Sequence, residues 1–336
     1  MTLYIPSDDD WHNETTMRPY PWHGYEAGIT PVRMIQYNNT TAPPPCEFHH
    51  DVPAVVFSSG YIGNSYHEMS EIIIPLFLTT KHFQSRVVFI IEDYQPSFIA
   101  KYSTILTRLS AHELMNPAAN ATVHCFPASI VGLKYHGILA LNPRDIPGGY
   151  GMPEFRHFMF ETFGLRIEHV SQIARPRLLL LSRKRTRRFL NEDEIINMIK
   201  DVGFQVIVLI NSCNVLLGVH GAGLTNGVFL PRGAVIIQVE PLNLEYFSKV
   251  IFEDNARAMG MQYLRYKIED YESSLLKVFG RNSSVITDTS SVYRHHGILA
   301  SRDVFYDQQN VKLNLARFRE TVVKALSIVT DSTTQT

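Results

Sequence analysis

The chain has 336 residues, room for two domains of ordinary size with substantial cores. Its 45% hydrophobic and 19% charged residues are a globular balance that excludes a largely disordered protein. With 31 Lys and Arg against 32 Asp and Glu, it lacks the bulk positive charge of a nucleic-acid binder.

The longest apolar run, 72–78, is interrupted by Pro75 and falls far short of the ~20 residues that span a bilayer. The N-terminal MTLYIPSDDDW lacks the basic and apolar stretches of a signal peptide, so these residues read as a soluble chain. Three cysteines, Cys46, Cys125 and Cys213, are too few for a disulfide scaffold and lack metal-ligand spacing. Five N-x-Ser/Thr acceptors, at Asn13, Asn38, Asn39, Asn120 and Asn282, lean toward a secretory lumen.

Residues 1–50 carry prolines at 19, 21, 31 and 43–45 among polar clusters and read as an irregular arm. The apolar run 54–58, stopped by Gly60, predicts a buried strand, with a helix over about 66–80. A strand at 87–91 precedes a helix that Ser97 is placed to cap, running to about 109. Strand candidates follow at 123–126 and 138–141. Pro153 suits the start of a helix and Gly164 its end.

A second series begins after the linker-like 166–177. Strand 178–181 is followed by a helix with Asn191-x-x-Glu194 at its start and Gly203 at its end. Strands are predicted at 206–209, 215–219, 235–239 and 263–266, with a helix over about 245–259. Leu315, Phe318, Val322, Leu326 and Val329 form one stripe of a C-terminal helix. Alternating strands and helices on both sides of a linker predict an α/β fold of two doubly wound domains around a cleft. One spacing resists this: only residues 210–214 separate two predicted strands. Neighbouring parallel strands need a crossover of about a dozen residues. Either one run is not a strand, or a crossover has been lost.

Three segments can carry chemistry. In GVHGAGLTN (218–226) an apolar run ends in glycines that admit a close ligand, and His220 offers a hydrogen-bond donor. At a strand's carboxyl end this is where phosphates bind; the alternative is a tight turn with a core histidine. SRKRTRR (182–188) sets five cations after a strand, which suits a departing diphosphate; a solvated loop is the bland alternative. In NSYHEMSE (64–71), His67 and Glu71 share one helical face and form an interacting pair, or a capped surface pair. Position 71 is Glu, so this is not a zincin motif, and no metal is expected. The acidic Asp8–Asp10, the pair His49-His50 and the pair His295-His296 are set aside as solvated or without ligand spacing.

Together these segments resemble glycosyltransferase family 61, most closely its plant xylan-type members, from about residue 17 to 327. The resemblance rests on PPPCEFHHDVPAVVFSSGYIGNSYHEMSEIIIPLFLT, LLLLSRKRTRRFLNEDEI and above all NSCNVLLGVHGAGLTNGVFLPRGAVIIQVEP, with YESSL and QNVKLNLARF as further matches. It implies a Golgi-lumenal type II membrane protein with a two-domain, GT-B-like fold, transferring a sugar from a UDP donor with inversion and without a bound metal. Xylan-type members add arabinofuranose or xylose to xylan, and relatives add xylose to N-glycans.

Residue by residue, the family pattern falls on Asn64, Tyr66, His67 and Glu71; on Ser182, Arg183, Arg187 and Asn191; and on Gly218 through Asn226. The resemblance makes Glu71 the general base for the acceptor hydroxyl, oriented by His67. Arg183, Arg187 and His220, with the loop Gly221, Ala222, Gly223, Leu224 and Asn226, would hold UDP.

The implied organisation is an arm over 1–50, an acceptor-side domain over 51–170, a donor-side domain over 176–310 and a helix over 311–330. Relatives carry an N-terminal membrane anchor before the point where this chain begins, and a longer, helix-containing connection in the region 203–220. The chain therefore reads as a shortened form, with a non-catalytic nucleotide-sugar or glycan-binding remnant as the competing function. A metal-dependent hydrolase fares worst, because no ligand triad has the spacing. Cys46 and Cys125, both in the first domain, are the expected pair if a lumenal disulfide forms.

Overall fold

The computed structural model describes residues 1–6, 14–21, 27–37, 43–119, 121–139, 141–146 and 148–334. Asp8–Asp10, Asn13, Asn38, Asn39 and Asn120 lie outside them. The fold is mixed α/β with parallel sheets, and the chain divides into two compact units: 1–137 with 142–150, and 138–141 with 151–336. No helix among the described residues is long and apolar enough to cross a membrane.

The first unit holds three small sheets. Strands β1 (Thr2–Pro6), β2 (Glu14–Met17) and β3 (Val32–Tyr37) form one, in the order β1-β3-β2. The expectation of an irregular arm is corrected here. The strands escape notice because β2 is exposed throughout and β1 largely so, leaving no apolar alternation to read. Met1, Leu3, Val32 and Met34 pack on Ala54, Val56, Val88 and Ile90, so this sheet completes a core.

Strands β4 (Phe48–His49), β5 (Ala54–Ser58) and β6 (Val88–Glu92), with β7 (His124–Cys125) and β8 (Ser129–Val131), complete the unit. All five residues of β5 and of β6 are buried, as expected of a parallel sheet covered on both faces. The order β6-β5-β8 is parallel throughout. Helix α1 follows β5: an α-helical start at Ser65–His67, a π-helix over Glu68–Ile73, and an α-helical end at Ile74–Thr80. Helix α2 (Pro96–Leu109) follows β6 with Gln95, not Ser97, at its N-cap; Pro96 takes the first helical position, where no amide is needed. Cys46 and Cys125 are disulfide-bonded beside the β4–β7 pair, as expected, and Cys213 is a buried free thiol.

The second unit opens with helix α3 (Met152–Phe163), which the sequence places in the first domain. Arg156 explains the difference. Its buried guanidinium donates to the carbonyls of Val228, Leu230 and Met259, tying α3 to the second unit. The sheet is fully parallel in the order β10-β9-β11-β12-β13. Its strands are β9 (Arg177–Leu181), β10 (Gln205–Val206), β11 (Val215–Val219), β12 (Val235–Glu240) and β13 (Gln262–Lys267). Helix α4 (Glu192–Val202) lies between β9 and β10. The segment after β12 again passes from α-helix (Glu245–Phe247) through π-helix (Ser248–Glu253) to α-helix (Asp254–Ala258), here called α5. Helix α6 (Leu315–Thr334) buries Phe318, Val322, Ala325 and Val329.

Two local expectations change. Asn191 stands at the N-cap of α4 but caps no helical amide; its side chain clamps the backbone of Leu313 through both ends of the amide, at 2.9 and 3.0 Å. The awkward spacing after residue 206 also resolves. β10 has two residues and lies on the far side of β9 from β11, so the two runs never pair. A single 3-10 turn at Ile210–Ser212 returns the chain, leaving Val208 and Leu209 89% and 70% exposed.

The disulfide closes a separation of 79 residues. The Cys46→Ala/Cys125→Ala double variant is expected to lose about 4 kcal/mol of first-unit stability by the chain-entropy estimate. Urea unfolding followed by first-unit fluorescence checks this, and a loss under about 1 kcal/mol would show that the bond is dispensable.

Candidate functional site

In the second unit the order β10-β9-β11-β12-β13 means that the chain winds one way from β9 and the other way from β11. Between those strands no crossover covers the carboxyl edge, which makes it the ligand crevice of a doubly wound sheet. Leu181 sits opposite Gly218, so the two strands end level. SRKRTRR leaves one of them and HGAGLTN the other.

The two loops meet at Gly221, whose φ of +151° favours glycine. A Cβ there would lie 2.4 Å from Arg183 Nη1 and 3.3 Å from Arg187 Nη1. Both guanidiniums are thus packed against bare backbone. Arg183 donates from Nε to the Thr186 carbonyl at 2.8 Å, and Arg187 from Nη1 to the His220 carbonyl at 3.0 Å. Arg187 also lies over the Tyr306 ring at 5.1 Å, and its buried Nε has no partner. Burial, then the neighbouring Arg183, lowers the Arg187 pKa to about 10; burial alone lowers that of Arg183. Among the described residues no carboxylate hydrogen-bonds either group. Asp307 acts on Arg187 through charge alone, without a hydrogen bond among the described residues, so two half-buried cations keep donors that an anionic ligand would complete.

The cationic loop is pinned from the C-terminal side. Arg187 N donates to the Gln309 carbonyl, Val311 N to that of Arg188, and Leu190 N to that of Val311. This strip explains why QNVKLN travels with SRKRTRR in the sequence resemblance.

His220 is 2% exposed. Its Nδ1 accepts from Gln238 Nε2 at 2.9 Å and meets Ser248 Oγ at 3.4 Å, while Phe252 and Tyr306 contact the ring edge to face. Burial, with Arg187 and Arg183 nearby, lowers its pKa to about 3, so the ring is neutral. Of the loop residues, Leu224 is spent on structure: its amide closes the turn onto Gly221 and its side chain is buried. Ala222 and Gly223 open a 3-10 helix running to Phe229, and the exposed Asn226 returns its side-chain amide to the Gly223 carbonyl. Ser182 bonds Glu192 at 2.8 Å.

The first unit carries the other cluster. Asn64 caps α1 by accepting from Tyr66 N at 3.0 Å. His67 Nδ1 bonds Glu71 Oε1, and Tyr66 lies edge to face on the imidazole. Glu71 is in the π-helical turn, a widened geometry that recurs at functional sites. Its second oxygen accepts from the Tyr20 hydroxyl. Glu71 is thus buried with both oxygens engaged, while the His67 side chain is 32% exposed. Glu68, one turn away, is committed to Lys101, Tyr102 and the Gly63 amide.

Tyr20, Gln238 and Ser248 escape the sequence reading. Tyr20 sits among prolines that signal only a loop. The Pro19 carbonyl accepts from Ser58 N at 2.9 Å, which lays this segment on the end of β5. Gln238 alone leaves a trace, as a polar residue inside the apolar run VIIQVE. No group of three or more metal-type ligands occurs among the described residues.

A loop-bound pair of cations at the crevice of a parallel sheet is suited to an anionic ligand, and the fold is that of an α/β protein. The sequence model of the family Glycosyltransferase 61 matches residues 48–237, and the chain belongs to that family. An alpha-1,3-arabinosyltransferase of Oryza sativa subsp. japonica is 36% identical over 331 residues, covering 92% of this chain and 57% of that protein. A beta-1,2-xylosyltransferase of the same organism is 35% identical over 335 residues, 93% of this chain and 72% of its own length. A xylan glycosyltransferase of Arabidopsis thaliana is 32% identical over 311 residues, 83% of this chain and 63% of its own. The chain thus spans little more than half the length of the first of these relatives.

Gly60 tests how firmly the N-terminal segment is seated. Its φ is +56°, and a Cβ would lie 2.2 Å from the Tyr20 ring. Gly63, at φ +93°, has nothing within 4 Å. Gly63→Ala should cost only backbone strain, about 1 kcal/mol, and Gly60→Ala about 2–4 kcal/mol. Equal losses in denaturant unfolding would mean that Tyr20 does not pack there.

Proposed function

We propose that this chain is an inverting glycosyltransferase that moves a pentose, arabinofuranose or xylose, from a UDP donor to a xylan-type glycan. The observation that carries the donor reading is the meeting of Arg183, Arg187 and the Gly221 backbone at the switch between β9 and β11. A diphosphate fits two cations that no carboxylate among the described residues hydrogen-bonds, and stabilising it as it departs lowers the transfer barrier. The names of the similar plant proteins support the pentose and the xylan acceptor. Xylosylation of N-glycans is the alternative substrate. The family's GT-B-like arrangement, two Rossmann-like domains facing a cleft, belongs to the same proposal, supported by a parallel sheet in each unit. So does a Golgi-lumenal site of action, supported by the Cys46–Cys125 disulfide.

On the acceptor side, His67 and Glu71 supply the base. Glu71, buried and bonded through both oxygens, suits the carboxylate that aligns an imidazole. With Nδ1 of His67 donating to Glu71, Nε2 serves as the base. That nitrogen takes the acceptor hydroxyl proton as the new glycosidic bond forms and UDP leaves. This reverses the roles drawn from the motif, in which Glu71 is the base.

The shortened connection after β10 favours the remnant reading, yet its position limits the damage. β10 stops level with Leu178, about 10 Å below the strand ends where the cations sit. Transfer from UDP-pentoses to xylan oligosaccharides, beside titration with UDP, separates the two. UDP binding without transfer identifies a remnant; the absence of both refutes the donor reading.

Glu71→Gln should lower turnover about 10²–10⁴-fold and leave UDP affinity unchanged. Arg183→Ala should weaken UDP by about 1.5–3 kcal/mol. Imidazole added to His67→Ala should restore part of its turnover; no rescue there returns the base role to Glu71.

A further inference from the structure

We infer that Gln238, held by Tyr263, is a positioning residue that locks the His220 imidazole into the tautomer with its proton on Nε2. The inference rests on the donor reading above, with His220 added at the diphosphate as the family resemblance implies.

Gln238 is fully buried in β12. An amide there is costly unless both its ends are hydrogen-bonded. They are: Tyr263 donates its hydroxyl proton to Gln238 Oε1 at 3.1 Å, and Gln238 Nε2 faces His220 Nδ1 at 2.9 Å. An amide nitrogen only donates, so Nδ1 must offer its lone pair. Ser248 Oγ lies 3.4 Å from the same nitrogen, but its single proton is shared with Glu240, so the Gln238 amide alone sets the tautomer. A neutral imidazole carries one proton, which is thereby left on Nε2, at the opposite edge of the ring. Toward an anion, an Nε2 proton attracts and an Nε2 lone pair repels. The relay therefore sets the sign of the contact.

The charged and titratable groups around the ring are Arg183 and Arg187 after β9 and Tyr306 from the C-terminal segment. Tyr263 stands behind Gln238, and Glu240 behind Ser248. With burial and two cations holding the ring neutral, imidazolium is not the source of the donor. Only the tautomer can be.

Nitrogen-15 spectra of the full chain labelled at histidine test the lock, with His220 assigned by its loss in His220→Asn. The expected native result is a protonated Nε2 and a bare Nδ1 between about pH 5 and 8. Gln238→Glu keeps the shape but accepts from Nδ1, moving the proton there. Its UDP affinity should fall about 10- to 100-fold at about pH 8. As pH falls, the carboxylate-paired ring gains its second proton and Nε2–H returns, so affinity relative to the native chain should recover. Taking that ratio at each pH cancels the titration of UDP itself. Tyr263→Phe frees the amide to turn and should cost about 2- to 10-fold in affinity, with both tautomers in the spectrum. A native proton on Nδ1, native affinity in Gln238→Glu, or a loss in that variant that ignores pH overturns the lock. Should Gln238→Glu fail to fold, the native spectrum and Tyr263→Phe decide. A native chain that does not bind UDP overturns the donor reading instead, since the tautomer is measured without nucleotide.

Discussion

The candidate donor site depends on the register between β9 and β11. With Leu181 opposite Gly218, the two strand ends stand level, and the reversal of strand order leaves the edge between them uncovered. The guanidiniums of Arg183 and Arg187 fill that gap against Gly221, a contact that a single Cβ would break. Burying two cations is unfavourable, and the fold meets the cost with backbone carbonyls, a tyrosine face and a clamped loop rather than with carboxylates. Asp307 offsets Arg187 only at a distance, which leaves the donors of both guanidiniums available to an anion.

The loop needs support from distant sequence to stay in place. Gln309, fully buried, bonds both the amide and the carbonyl of Leu242 while its own carbonyl holds the Arg187 amide. Asn191 grips Leu313. A stretch some 120 residues further along the chain thus fixes the cationic loop, and a substitution in it would act on the site without touching a ligand. The first unit follows a similar economy. Tyr20, laid on the end of β5 by Pro19, closes one oxygen of Glu71 while His67 closes the other. Burial and that carboxylate both keep the Tyr20 hydroxyl protonated far above its ordinary range, so it is a fixed donor.

The two units share a beginning of topology. In each, the second strand in sequence lies on one side of the first and the third on the other, as β6-β5-β8 and β10-β9-β11. In the second unit the return from β10 is a single turn, and β10 itself has only two residues. A parallel strand without a crossover cannot extend, because the chain must be back at the sheet's amino edge within eight residues, 207–214. Val208 and Leu209 in this return are exposed.

The sequence alone missed β8 and placed a strand at 138–141, where none forms among the described residues, but it determined most of the alternating strands and helices, the three chemical segments, the odd spacing after residue 206 and the family resemblance. These are local properties: apolar runs, glycine punctuation and charge clusters are written in neighbouring residues. The sheet of β1, β2 and β3, the transfer of α3 to the second unit and the roles of Tyr20, Gln238 and Asn191 were decided by tertiary structure. Tyr20 and Glu71 are 51 residues apart, and Asn191 and Leu313 are 122 apart. Nothing in either residue's surroundings along the chain names the other. A polar side chain is given its role by whichever partner the fold brings to it once water is removed, and that pairing exists only in three dimensions.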